Sequence, residues 1–197
     1  CRPKEGLHLF KRSEILTFEE ILTIVQHAIS LGISKFRLTG GEPLARKGIE
    51  RLVSLLSGLD GVEDLAMTTN GTLLKDFAYI LKKSGLSRIN ISMDTLNKEK
   101  YQKITRGGDL DDVFRGIEAA ENAGFTNLKI NVVAMLGIND DEIDDFARMT
   151  LNKNIEVRFI ELMATKSKSR IKEARFMPVD QIIKRIKALG NLVPIFS

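Results

Sequence analysis

Lys35-Phe36-Arg37-Leu38-Thr39-Gly40-Gly41-Glu42-Pro43-Leu44 reads as a short strand that runs into a glycine turn. Phe36 and Leu38 alternate with Lys35, Arg37 and Thr39, so one strand face is apolar and the other polar. Gly40 and Gly41 remove two side chains where the strand ends, which permits a tight turn and lets a ligand approach the backbone closely. Pro43 stops the sheet ladder and sets the exit direction. Taken alone, a Gly-Gly pair is equally well explained as a plain strand-to-helix turn.

Outward from this stretch the same pattern recurs. Four segments share the order glycine, apolar, two polar, apolar, any, apolar: Gly32 to Leu38, Gly61 to Met67, Gly85 to Ile91 and Gly124 to Ile130. Their glycines lie 29, 24 and 39 residues apart. Helical patterns fill the gaps: Ile49, Leu52, Val53 and Leu56; Leu73, Leu74, Phe77 and Leu81; Val113, Ile117 and Ala120. A glycine-ended helix feeding a strand, repeated at such intervals, is the βαβ crossover and predicts a parallel sheet. Upstream, Thr17-Phe18-Glu19-Glu20 is a capping-box signature, and Phe18, Ile21, Leu22, Val25 and Ile29 continue it as a helix that ends at Gly32. Downstream we expect a helix marked by Ile143, Phe146 and Met149, a fifth strand over Ile155 to Ile160, a helix over Val179 to Leu189, and a sixth strand over Leu192 to Phe196.

The strand faces choose between sheet types. Phe36 and Leu38, Leu65 and Met67, Ile89 and Ile91, and Leu128 and Ile130 can pack under helices. The opposite face carries Arg37 and Thr39, Ala66 and Thr68, Asn90 and Ser92, Lys129 and Asn131, with Glu156 and Arg158 on the fifth strand. A doubly wound sheet needs apolar residues on both faces. One polar face in every strand favours a barrel with its helices outside, open enough inside to hold a ligand. With Arg37, Lys129 and Arg158 facing in, that ligand is expected to be anionic. The competing explanation is that these cations pair with Glu156, Glu161 or Asp94 as structural ion pairs. Sites in such barrels lie at the C-terminal strand ends. Here those ends read Thr39-Gly40-Gly41-Glu42, Thr68-Thr69-Asn70-Gly71, Ser92-Met93-Asp94 and Glu161-Leu162-Met163, a set suited to a ribose and an amino acid moiety.

Composition bounds the rest. The chain has 197 residues, 43% hydrophobic and 28% charged, ordinary for one globular domain. The net charge of +4 is a mild bias toward anions and carries no nucleic-acid signature. No run approaches the roughly 18 apolar residues of a membrane span, and no signal peptide is evident, so a cytoplasmic location is expected. Ala164 to Met177 is basic (Lys166, Lys168, Arg170, Lys172, Arg175) and reads as a solvated loop, with phosphate contact as second reading and nucleic-acid binding disfavoured because no aromatics are interleaved. His27, on a helix, reads as a surface or packing residue, and His8 is equally uninformative, so neither is assigned a role. The chain opens on Cys1, its only cysteine, and closes on Leu192-Val193-Pro194-Ile195-Phe196-Ser197; both ends look like cuts, and a part of a longer protein is expected. On its own, Cys1 is an inert thiol.

Leu38-Thr39-Gly40-Gly41-Glu42-Pro43, Thr68-Thr69-Asn70-Gly71, Ile91-Ser92-Met93-Asp94 and Arg158-Phe159-Ile160-Glu161-Leu162-Met163 resemble the radical S-adenosylmethionine enzymes. Arg37, Lys129-Ile130-Asn131, Gly137-Ile138-Asn139-Asp140 and the run from Arg158 narrow the resemblance to the GTP 3′,8-cyclases of molybdenum cofactor biosynthesis. The resemblance implies an α/β fold, a partial (βα)6 TIM-like barrel whose first strand is missing here, with residues 1–197 forming a single radical SAM core domain. It implies a 4Fe–4S cluster held by a C-x3-C-x2-C motif. Cys1 matches the third cysteine, and the other two are absent. It implies a second such cluster beyond Ser197, so the fragment itself is expected to be inactive. By the same resemblance Gly41, Ser92 and Met163 would contact S-adenosylmethionine, and Arg37, Thr68 and Lys129 would contact GTP. The implied lyase chemistry is removal of hydrogen from C3′ of GTP and closure onto C8 of guanine, with the cofactor carrying the difficult step. Implied partners are an electron donor and a downstream enzyme that forms a cyclic pyranopterin, with no nucleic acid and no membrane; a homodimer is left open. Three other readings stay open here: a peptide- or haem-modifying radical enzyme, a Schiff-base aldolase using Lys129, and a nucleotide-binding barrel without catalysis.

Overall fold

The computed structural model describes residues 14–163 and 175–194. Cys1 and most of the basic segment lie outside the described residues.

The first helix, α1 (Phe18–Ser30), begins as its capping box dictates. The Thr17 hydroxyl accepts from the Glu20 amide at 3.1 Å, and the Glu20 carboxylate accepts from the Thr17 amide at 2.7 Å. The chain then alternates: β1 (Lys35–Leu38), α2 (Ile49–Ser57), β2 (Asp64–Thr69), α3 (Leu74–Lys83), β3 (Arg88–Ser92), α4 (Lys98–Thr105), α5 (Leu110–Asn122), β4 (Leu128–Leu136), α6 (Ile143–Asn152) and β5 (Ile155–Glu161). Gly32, Gly61, Gly85 and Gly124, the four glycines of the sequence repeat, all adopt positive φ between 84° and 97°. Each turns the chain from a helix end toward the next strand in a conformation that a Cβ would oppose.

The five strands pair in parallel in strict chain order, β1-β2-β3-β4-β5. A doubly wound sheet would reverse its order at a switch point. Sequential order with helices on one face is the progression of a barrel wall. The main core lies between that helical layer and the apolar strand face. Leu65, Met67, Ile89, Ile91, Leu128, Ile130 and Val132 pack there against Leu52, Val53, Leu74, Leu81, Val113, Ile117 and Phe146, each 1% exposed or less. The alternation that the sequence predicts is therefore real, and its apolar phase points outward under the helices.

Two features depart from expectation. Leu192 to Pro194 form no strand, and residues 195–197 lie outside those described. The sixth strand is instead β6 (Arg175–Phe176), within the stretch expected as a loop, and it pairs antiparallel with the end of β4. It leads into α7 (Val179–Lys187), where Met177 and Ile182 join Ala134 and Ile143 in a small second core. Among the described residues, no helix is long and apolar enough to cross a membrane.

Candidate active site at the strand ends

The parallel register assembles the polar face in rows. Arg37 lies beside Ala66, and Ala66 beside Arg88. One step along, Thr68, Asn90, Lys129 and Glu156 stand side by side across four strands. The next row is Ser92, Asn131 and Arg158. Of the residues expected to contact GTP, Thr68 and Lys129 thus share a row, and Arg37 sits one step lower on the neighbouring strand.

Lys129 Nζ donates to Glu156 Oε2 at 2.7 Å, and Arg158 Nε donates to Glu156 Oε1 at 2.5 Å. Glu161 and Asp94 do not take these cations: Glu161 accepts from the Val179 amide at 2.8 Å, and Asp94 accepts from the Val133 amide at 2.9 Å. Arg37 is exposed and makes no ion pair among the described residues. Its charge instead joins Arg88 and Lys35 in acting on Asp64, whose carboxyl is held below the usual range chiefly by its hydrogen bond from Arg88.

At the strand ends, Gly40 has φ of +150°, and a Cβ built on Gly40 or Gly41 meets nothing within 4 Å. The backbone there is open to a ligand. Glu42 is not. Its Oε1 accepts from the Leu44 amide at 3.1 Å and the Thr69 hydroxyl at 2.6 Å, and its Oε2 accepts from the Asn70 amide at 2.8 Å. This carboxylate ties the loop after β1 to the loop after β2. The Thr69 hydroxyl in turn accepts from the Gly71 amide at 3.1 Å. Gly71 is clamped from behind: a Cβ on Gly116 of α5 would lie 2.4 Å from the Gly71 carbonyl oxygen. Two glycines thus let a helix set the height of a site loop.

The loop after β3 is fastened in a different way. Ser92 is exposed at its mouth, and Asp94 is pressed into the sheet, where burial pushes its carboxyl above the usual range. Asn139, fully buried, donates to the Asp94 carbonyl at 2.6 Å and the Val133 carbonyl at 2.9 Å, and accepts from the Met135 amide at 2.7 Å. Glu142 accepts from the Thr95 hydroxyl at 2.8 Å, the Leu96 amide at 2.6 Å and Lys100 at 2.9 Å. Met163, after β5, is 79% exposed. Gly41, Ser92 and Met163 therefore all end strands on the same rim, and Cys1 lies outside the described residues.

Sequence reasoning noted Glu42 and Asn139 but assigned them no structural task, offered Asp94 as an ion-pair partner where it instead accepts from the Val133 amide, and passed over Glu142. It also missed α4, in which Tyr101 is the buried residue, so apolar periodicity is silent there. Asn97, whose side chain accepts from the Glu99 and Lys100 amides at 2.9 and 3.0 Å, was the available signal.

A sequence profile of the radical SAM superfamily matches residues 1–150. The protein named GTP 3′,8-cyclase of Alkaliphilus oremlandii (strain OhILAs) is 50% identical over 194 residues, 98% of this chain and 60% of that protein. The protein of the same name from Thermodesulfovibrio yellowstonii is 48% identical over 197 residues, 99% of this chain and 61% of that protein. The chain thus spans about three fifths of the length of these relatives. A radical SAM methyltransferase from Sphaerobacter thermophilus superposes with a TM-score of 0.66 at 14% identity, over 89% of this chain and 56% of that one. Native anSMEcpe with bound AdoMet and a peptide gives 0.63 at 20% identity, over 89% of this chain and 52% of that one. These two likenesses bear on the fold alone. Profile and architecture agree: the chain belongs to the radical SAM superfamily.

Proposed function

We propose that this chain is the core of a GTP 3′,8-cyclase acting in the first step of molybdenum cofactor biosynthesis. The observation that carries the reading is the set of cations on the polar face under an open rim. Lys129 and Arg158 on the adjoining strands β4 and β5, and Arg37 on β1 across the sheet, line a polar face whose strand ends carry open glycine backbone and a serine hydroxyl. The names of the relatives at 48% to 50% identity support it.

In this reading Arg37 and Lys129 take the triphosphate by charge-assisted hydrogen bonds, and the Thr68 hydroxyl orients the nucleoside between them. S-adenosylmethionine fits the rim: the bare backbone at Gly40 and Gly41 accommodates its amino acid part, Ser92 offers a hydroxyl, and Met163 an apolar contact. Bound there together with a reduced iron–sulfur cluster, it supplies one-electron chemistry that side chains cannot. The described residues contain no group of three or more His, Cys, Asp or Glu able to hold a metal ion. Cys1, proposed as one cluster ligand, lies outside them. What this chain's own residues do is hold two substrates in one orientation and keep water from the space between them. An electron donor, a downstream enzyme that consumes the cyclised nucleotide and a cytoplasmic setting complete the proposal.

The test is anaerobic iron–sulfur reconstitution of the full-length protein, followed by product analysis with GTP and S-adenosylmethionine. A cyclised GTP formed together with 5′-deoxyadenosine is the expected result. 5′-Deoxyadenosine formed without dependence on GTP would keep the superfamily chemistry and reject the substrate.

A further inference from the structure

Glu156 is the unexpected member of the polar face. Across β1 to β5 that face presents five cations, Lys35, Arg37, Arg88, Lys129 and Arg158, against two carboxylates, Asp64 and Glu156. Asp64, on β2, is committed to Arg88 of β3, with Arg88 Nε at 2.8 Å. Glu156 engages two of the remaining cations, Lys129 and Arg158, one per oxygen. The Lys129 side chain is only 12% exposed, whereas that of Glu156 is 46% exposed. The carboxylate therefore reaches water while the ammonium it binds is covered.

A carboxylate and a phosphate compete for the same N–H donors, because both present anionic oxygens at hydrogen-bonding distance. Resting on the reading of this face as a triphosphate site, we propose that Glu156 is an internal stand-in for the substrate's phosphate. In the free protein it holds Lys129 and Arg158 in position. The entering polyphosphate displaces it from them, so its charge limits how tightly the anion is held. Burial raises the Glu156 carboxyl, but the hydrogen bonds from Lys129 and Arg158 outweigh that and leave it below its usual range, so it stays ionised at neutral pH. Exchange is then driven by the ligand and not by protonation. The geometry also gives Lys129 and Arg158 an oxygen to bind when the face is empty.

The test is calorimetric titration of inorganic triphosphate into the full chain and into its E156Q and E156A variants at one low ionic strength. Both variants are expected to bind triphosphate on the order of tenfold more tightly, since a unit charge a few ångströms from the ligand is removed from a partly exposed site. The double variant K129A/E156Q should lose that gain. Affinity that is unchanged or weaker in E156Q and E156A, with the parent still binding, overturns the proposal and leaves the triphosphate site standing. Failure of the parent and both variants to bind overturns the site and the proposal together. A fall in melting temperature without tighter binding would show Glu156 to be a structural partner only, and would also overturn it.

Discussion

Replacing Glu42 by alanine removes one carboxylate that three donors share. Two of those donors belong to residues cut off from water: Leu44 is 3% exposed and Thr69 is 2% exposed. Asn70 is exposed, so water can replace its bond at little cost. A hydrogen bond to a charged group contributes roughly 1.5–3 kcal/mol, and a buried donor left without a partner costs its full desolvation. Two such bonds at the lower end give about 3 kcal/mol. For a chain of this size, about 2–4 °C per kcal/mol then places the melting temperature roughly 6–12 °C below the parent. E42Q should lose less than E42A, because its remaining oxygen can still accept from the Leu44 amide and the Thr69 hydroxyl while its N–H2 faces only the exposed Asn70 amide. Urea unfolding of the parent, E42A, T69V and the double variant supplies the measurement. A coupling of about 1 kcal/mol between positions 42 and 69 is expected for direct partners. An E42A loss within about 0.5 kcal/mol, the range of an unremarkable surface substitution, or zero coupling to Thr69, would refute the account of Glu42 as the tie between two site loops.

Lys129→Ala should weaken GTP binding by about tenfold or more while S-adenosylmethionine binding is retained, the loss of a charge-assisted contact being about 1.5–3 kcal/mol; equal loss of both ligands in equilibrium titration rejects the assignment. Arg37→Ala, which breaks no ion pair among the described residues, should weaken GTP binding and leave the urea midpoint in place, and the reverse outcome would make Arg37 structural. Gly116→Ala forces a Cβ to within 2.4 Å of the Gly71 carbonyl, so thermal unfolding should report a cost of about 1–3 kcal/mol. Asp94 has a folded-state carboxyl raised by burial, so the folded state binds the proton more readily than the unfolded one. Stability from this group is therefore gained as pH falls through the raised value and levels off below the ordinary value of 3.8. Asp94→Asn should abolish that gain and be no less stable than the parent at neutral pH. A parent–variant stability difference that stays constant with pH would contradict it.

The sheet and its helical cover were legible because both are written in local spacing. The four glycines and the two-residue alternation place the strands, and the Thr17–Glu20 box marks a helix start without any tertiary information. The chemistry of the polar face was legible for the same reason, since alternation alone puts Arg37, Thr68, Lys129 and Arg158 on one side. Cross-strand register is a different matter. That Glu156 faces Lys129 depends on how β5 slides against β4, which no single strand records. The Asn139 clip spans 45 residues, and the Glu42 tie spans 27, so neither leaves a local trace. β6 has two residues, too few for any alternation to be read.

The strict order of the five parallel strands has a consequence for biosynthesis. Each strand's partner is the one made just before it, so no strand has to wait for a distant partner still inside the ribosome. At ~5–20 residues per second, a unit of ~30 residues emerges every ~2–6 s. Each can dock on an existing edge as it appears, much as a repeat array grows by nearest-neighbour addition. The growing edge is then always the most recently made strand, and new unpaired backbone is exposed there one short segment at a time.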